Sequence, residues 1–220
     1  MNNEGLPVVN DGKSWVSFFD TPNFVGANLI EKLETLPWED VYSQGGVLTR
    51  RSLWLTPKEC ICPYAYGRKK QVYQPVNIPS FLETMTRDLE TFLGLEPETL
   101  NSLNANKYSE PEHDIQWHSD NEKLFRASEF DRNTLIVSVS FGATRTFSIR
   151  RKYGNDDEEI PIELKHGDIL IMGGLLQDNY LHAVKPLTSV QRAKAGASSA
   201  TRYNLTWRVL RQHTRECLTN

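Results

Sequence analysis

The sequence predicts a mainly β chain with flanking helices, a β-sandwich or barrel buttressed by helices. Three observations lead there. The first half carries two helical stripes of apolar residues. From about residue 101 onward the pattern turns to short β-branched and alternating runs separated by turn signals. Neither a repeat nor a linker interrupts the chain, so residues 1–220 read as a single domain.

Trp15 to Phe19 reads as a short strand. Val25, Leu29, Ile30, Leu33 and Leu36 recur at helical spacing. Residues 46–78 hold turns, aromatics and scattered basic residues without a clean period. Pro79 and Ser80 suit a helix start, Phe81, Met85, Leu89, Phe92 and Leu93 form its apolar stripe, and Gly94 ends it. Strands are expected at Leu135–Phe141, Arg145–Arg150, Ile160–Leu164, Ile169–Met172 and Arg202–Leu210. Residues 153–159 read as an acidic hairpin tip and 187–200 as a long mobile loop.

Composition narrows the function classes. Hydrophobic residues make up 39% and charged residues 24% of 220, which fits a folded chain rather than a disordered one. No apolar run approaches the ~20 residues of a membrane-spanning helix, and the start lacks the pattern of a signal peptide. A monomer inside the cell, in cytoplasm or nucleus, is the expectation. The net charge of −3 argues against a broad cationic nucleic-acid face. The clusters Arg68-Lys69-Lys70, Arg150-Arg151-Lys152 and Arg208 with Arg211 and Arg215 read singly as solvated edges. Cys60, Cys62 and Cys217 are too few for a disulfide framework. The Cys-x-Cys pair falls short of the ligands a structural zinc site needs, so these cysteines read as reduced bystanders.

The chemistry begins at His118-Ser119-Asp120. In an extended segment, residues two apart point to the same side, so an imidazole and a carboxylate can meet one metal ion. His182, after the strand and glycine turn of Ile169 to Gly174, is the third candidate. Two histidines and one carboxylate form the facial set that leaves positions open on Fe(II) for cosubstrate and O2. His113 and His166, each in a turn, read as ordinary structural histidines.

The last strand alternates Arg202, Asn204, Thr206 and Arg208 with Tyr203, Leu205, Trp207 and Val209. One reading is an edge strand with a wet face. The other turns the polar face inward and the apolar face outward beneath the helices. Two inward arginines then need anionic partners, and a dicarboxylate cosubstrate supplies them bidentately.

The segments Asn106-Lys107-Tyr108, His118-Ser119-Asp120-Asn121-Glu122, Ser140-Phe141-Gly142-Ala143-Thr144-Arg145, His166-Gly167-Asp168 and Arg202-Tyr203-Asn204-Leu205-Thr206-Trp207-Arg208 occur in that order. Together they resemble the AlkB family of Fe(II)- and 2-oxoglutarate-dependent dioxygenases. The likeness is clear over about 100–211, the expected catalytic core. It is fainter over 46–78, the expected substrate-recognition region, where Pro63-Tyr64-Ala65-Tyr66-Gly67 is similar to the family's aromatic recognition turn. Trp207 stands where the family often has Phe.

The resemblance implies a double-stranded β-helix (jelly-roll) core. It implies iron held by His118, Asp120 and His182. Arg202 would take the distal carboxylate of 2-oxoglutarate, assisted by Tyr108 and Asn204. Asn106 and Arg208 would lie near its chelating end, with Thr206 on the same strand face. Tyr66 and Tyr64 would stack on a flipped base, with His118 on its other face, and Glu122 would meet the base edge. The implied reaction is oxidative demethylation of N-alkylated bases in DNA or RNA, single strands preferred, with succinate, CO2 and formaldehyde released. Two alternatives stay open: an oxygenase acting on a protein side chain or small molecule, and a barrel that binds without turnover.

Overall fold

A computed structural model describes residues 5–20, 28–66, 71–153, 158–195, 201–215 and 217. In chain order the strands and helices are β1 (Leu6–Asn10), β2 (Ser14–Phe19), α1 (Leu29–Glu34), β3 (Glu39–Tyr42), β4 (Leu48–Thr56), β5 (Tyr64–Tyr66), β6 (Gln71–Tyr73), β7 (Val76–Asn77), α2 (Ser80–Leu93), β8 (Ser102–Tyr108), β9 (Ile115–His118), β10 (Thr134–Gly142), β11 (Arg145–Arg151), β12 (Ile160–Leu164), β13 (Ile169–Gly174), α3 (Leu176–Asn179), β14 (Tyr180–Val184), α4 (Ser189–Ala195) and β15 (Arg202–Arg208). Among these residues no helix is long and apolar enough to cross a membrane.

A nine-stranded sheet runs β1-β2-β13-β10-β15-β8-β4-β3, with the short β7 parallel to β4. A four-stranded sheet, β12-β11-β14-β9, faces it, and β5 pairs with β6 as a separate hairpin. This is the jelly-roll sandwich expected from the sequence.

The outer face of the large sheet is apolar. Val137, Val139, Leu103, Ala105, Tyr203, Leu205 and Trp207 pack there against Leu29 and Leu33 of α1 and Leu82, Met85 and Leu89 of α2. Trp207 Nε1 also donates to Thr86 Oγ1 of α2 at 2.8 Å, so the indole is both packed and satisfied. α2 starts after Pro79, in extended conformation, and ends at Gly94, whose φ of 65° is the left-handed conformation glycine adopts without cost.

The inner face is polar over its middle strands, because each strand alternates. Strand pairing sets Ser140 opposite Asn204, Asn204 opposite Asn106 and Asn106 opposite Ser52, one row across β10, β15, β8 and β4. The inward reading of β15 is therefore the observed one.

Several expectations change. The stretch 46–78 begins with β4, a nine-residue strand central enough to pair with β3, β7 and β8. Its period was masked because Arg50 and Ser52 point into the sandwich among polar partners, as β15 does. Within 187–200, residues Ser189–Ala195 form α4, and residues 196–200 lie outside the described residues. β15 ends at Arg208 rather than residue 210. Val25, the basic cluster 68–70 and residues 154–157 of the acidic tip also lie outside the described residues.

Candidate active site

The pocket lies between the sheets, lined by Asn106, Tyr108, His118, Asp120, His182, Asn204, Thr206 and Arg208 together with Ser138 and Phe147. Strand pairing builds its metal-ligating corner. His182 on β14 is the register partner of His118 on β9, and their rings sit 4.2 Å apart between centroids. Asp120 follows two residues beyond His118. His118 Nε2 lies 3.8 Å from Asp120 Oδ1, and His182 Nε2 lies 3.8 Å from Asp120 Oδ2. Three ligand atoms within 4.8 Å of one another suit a single ion.

The surroundings fix these donors. His118 Nδ1 and the Gln116 carbonyl are 2.8 Å apart, so Nδ1 is the protonated nitrogen and Nε2 presents its lone pair. Burial, then neighbouring His118, pushes His182 down to about 3, leaving it neutral and able to ligate. Burial alone would raise the Asp120 carboxyl, but Arg208, His182 and His118 hold it below the usual range. The Asp120 backbone N–H donates to Gln177 Oε1 at 2.9 Å, and Arg208 Nη2 donates to Asp120 Oδ2 at 2.6 Å. Asp120 Oδ1 is buried and has no hydrogen-bond partner among the described residues. A buried carboxylate oxygen left unmatched is costly, and a cation would satisfy it.

Arg202 poses the complementary problem. Its side chain is buried, and only Nη2 is matched, donating to Ser140 Oγ at 2.9 Å. Nε and Nη1 are buried without partners among the described residues, beside the Tyr108 ring 5.3 Å away. That edge of the guanidinium is the face a carboxylate would take bidentately. Asn204 donates to Ser138 Oγ at 2.7 Å and accepts from Thr206 at 2.9 Å. Asn106 accepts from Arg50 Nε at 2.8 Å.

A profile of the 2OG-Fe(II) oxygenase superfamily matches residues 27–208. The chain belongs to this family. Its members use Fe(II), 2-oxoglutarate and O2, and the unmatched Asp120 oxygen, the grouped imidazoles and the unmatched Arg202 edge fit those groups. Among curated proteins it is similar to the human alpha-ketoglutarate-dependent dioxygenase alkB homolog 3, with 31% identity over 86% of this chain and 64% of that one. The rat protein of the same name gives 31% identity over 83% of this chain and 59% of the relative. The DNA oxidative demethylase ALKBH2 of Arabidopsis thaliana is 30% identical over 50% of this chain and 38% of its own. The chain thus spans about three-fifths of the length of the alkB homolog 3 relatives. A structure titled "The structure of OsALKBH1" shares the fold, with a TM-score of 0.55 and 19% identity over 81% of this chain and 87% of that one.

At the mouth the structure departs from expectation. Tyr64 was a candidate stacking platform, yet its ring is buried against Trp54 and Phe125, with centroids 4.9 and 5.9 Å away. Its hydroxyl accepts from Arg208 Nη1 and donates to Glu122 Oε1, each at 2.9 Å. Tyr64 therefore braces Glu122 against Arg208 rather than presenting a free face. Tyr66 ends β5, and its side chain lies outside the described residues. Burial, then the Asp120 charge, raises the Glu122 carboxyl, whose Oε2 has no partner among the described residues. A groove beside His118 is lined by Tyr42, Arg50, Tyr73, Asp114, Gln116 and Trp117.

Sequence reasoning missed Arg50, Ser138, Ser140 and Gln177. The alternation that exposed β15 recurs in Asn104-x-Asn106-x-Tyr108 and Ser138-x-Ser140, and could have found the two serines. Gln177, in the four-residue α3, carried no period to read.

Proposed function

We propose that this protein is an Fe(II)- and 2-oxoglutarate-dependent dioxygenase that demethylates N-alkylated bases, such as 1-methyladenine and 3-methylcytosine, in single-stranded DNA or RNA. One observation carries the reading: Glu122, a half-buried carboxylate two residues past Asp120, has one oxygen, Oε2, that is buried without a partner among the described residues and feels the Asp120 charge, so it stands beside the ligand set. A carboxylate there can accept from the exocyclic amino group of adenine or cytosine, and its charge favours the cationic bases that N1 or N3 alkylation produces. The likeness to alkB homolog 3 and to a named DNA oxidative demethylase supports the same substrate class.

Within this reading, His118, Asp120 and His182 hold the iron. Bound Fe(II), 2-oxoglutarate and O2 would supply the oxidation of the base's N-methyl group to a hydroxymethyl that leaves as formaldehyde, as cosubstrate becomes succinate and CO2. Arg202 receives one cosubstrate carboxylate, and Tyr108 and Asn204 wall that end. Arg208 keeps Asp120 anionic and oriented while Tyr64 ties Arg208 to Glu122, so cosubstrate and base edges are positioned through one chain of hydrogen bonds. Asn106 and Thr206 close the pocket floor. Tyr66 stacks on the base. A single strand is preferred because stacking gains about 1–3 kcal/mol per base, comparable to the few kcal/mol that extracting a paired base costs.

The test is succinate and formaldehyde release with single-stranded DNA and RNA carrying 1-methyladenine or 3-methylcytosine, against the matching duplexes. Stoichiometric formaldehyde from a methylated single strand is expected. Turnover stimulated by no methylated nucleic acid would replace this reading with an oxygenase acting on a protein side chain or small molecule.

A further inference from the structure

Apart from the candidate iron ligands, the chain brings together four residues, two of which its sequence keeps far from the other two. Cys60 and Cys62 precede β5, and His213 and Cys217 follow β15. One ligand atom from each, three Sγ and a His213 ring nitrogen, lies within 4.8 Å of the others. His213 Nδ1 is 3.9 Å from Cys60 Sγ, 3.6 Å from Cys62 Sγ and 3.3 Å from Cys217 Sγ. A tetrahedral zinc with Zn–S of about 2.3 Å and Zn–N of about 2.0 Å requires ligand-to-ligand edges of roughly 3.5–3.8 Å. The observed separations straddle that range. Counting cysteines alone had left the site a ligand short; His213 is the fourth.

The environment agrees. The three cysteines are buried and none is in a disulfide. The Thr214 backbone N–H already points at Cys62 Sγ, 3.3 Å away, as amides do toward zinc-bound thiolates. The loop is pinned independently of the sulfurs, since Trp54 Nε1 donates to the Cys62 carbonyl at 2.9 Å and Thr56 Oγ1 to the Cys60 carbonyl at 2.7 Å. The thiolates are soft and the geometry is closed, a donor set that selects zinc and leaves no position for substrate.

We propose that Cys60, Cys62, His213 and Cys217 form a structural zinc site that fastens the segment after β15 to the turn entering β5. Cys62 lies two residues before Tyr64, and Cys60, Cys62 and Cys217 share one apolar cluster with Tyr64, Trp54 and Phe125. The zinc thereby anchors the base of the hairpin that braces Glu122. The proposal rests on this cluster alone and stands whether or not the demethylase reading holds.

The full chain, expressed with zinc and carrying His118→Ala and His182→Ala to empty the other centre, is expected to retain about one zinc per chain after dialysis. Cobalt(II) exchanged into it should show thiolate-to-metal charge transfer and the intense visible bands of a tetrahedral site. Adding His213→Cys should keep the zinc, while adding His213→Gln or Cys62→Ser should lower retained zinc by about tenfold or more. The cysteines should resist alkylation until a chelator is added. Zinc absent from the chain with wild-type Cys60, Cys62, His213 and Cys217, a disulfide among the three cysteines, an iron–sulfur chromophore, or cobalt without thiolate bands would each overturn the proposal.

Discussion

In the pocket between the sheets, the lining side chains sit on strands of the two sheets or just past one; most of these strands are paired on both sides, and His118 lies on β9, the edge strand of the smaller sheet. β15 lies between β10 and β8, and β14 between β11 and β9. At the mouth, Tyr64 and Tyr66 hang from a two-stranded hairpin whose three-residue strands pair only with each other. Registry fixes the pocket: moving β15 by one residue would swap Arg202 and Asn204 for Tyr203 and Leu205. The mouth is fixed by side chains instead, through the Arg208–Tyr64–Glu122 hydrogen bonds and the cluster around Cys60 and Cys62. On the proposed reading, chemistry that must not move is carried by the sheets, and recognition by an appendage that can change without disturbing them.

The largest effects should come from breaking the pocket. His118→Ala, Asp120→Ala and His182→Ala are each expected to abolish succinate formation, measured by mass spectrometry; full activity in any one would remove that residue from the ligand set. Asp120→Ala should differ in stability as well. It strands the buried Arg208 guanidinium, at about 3–5 kcal/mol for a broken buried pair, so its Tm should fall well below that of His118→Ala. Next comes Arg202→Lys. Lysine keeps the charge but loses the planar two-point edge that Nε and Nη1 present. The KM for 2-oxoglutarate should rise by about tenfold or more, with iron affinity unchanged. An unchanged KM would make Arg202 a packing residue.

Changes at the mouth should spare the pocket. Tyr66→Ala is expected to reduce demethylation of a methylated oligonucleotide by about tenfold, as loss of one stacked base implies, while basal 2-oxoglutarate turnover continues. Tyr64→Phe keeps the ring against Trp54 and Phe125 but removes the hydroxyl between Arg208 and Glu122. A several-fold loss in kcat/KM for the methylated base is expected from one lost hydrogen bond. Equal losses in basal turnover for both variants would erase the distinction between pocket and mouth.

The same distinction decides what the sequence could reveal. β15 was legible because polar and apolar residues alternate strictly, and α2 because its stripe has a start at Pro79 and an end at Gly94. The candidate iron ligands were legible because two of them are neighbours on one extended segment. β4 was hidden because an arginine and a serine point inward, and their partners Asn106 and Asn104 are far along the chain. Tyr64 was misplaced because nothing local separates an aromatic residue that could face a base from one that packs inside the fold. His213, the fourth member of the proposed zinc site, was invisible because its thiol neighbours Cys60 and Cys62 lie more than a hundred residues away.

The smallest effect expected belongs to neither region but to a turn that joins the two sheets. His113 is buried in the loop between β8 and β9, where its Nδ1 accepts from the Ser109 backbone N–H at 3.1 Å. Its carbonyl accepts from Arg145 Nη1 at 3.3 Å, and the next residue's N–H donates to the Thr49 carbonyl of β4 at 3.0 Å. The turn therefore ties β4 of the large sheet to β11 of the small one. Burial holds the His113 pKa below its ordinary value of 6.5, opposed by Glu110 and reinforced by Arg145. The unfolded chain then binds more protons than the folded one just below pH 6.5. Stability from this group is complete above that value and is lost as pH falls toward the folded pKa. His113→Asn keeps an acceptor near Nδ1 but cannot titrate. Its Tm should decline less than that of the wild type between pH 6.5 and 5, the difference reading as a few degrees for a chain of this length, at about 2–4 °C per kcal/mol. Because His118 and His182 are present in both proteins, their own titration cancels in the difference. Parallel Tm profiles would show that His113 is as free to protonate in the fold as in the unfolded chain.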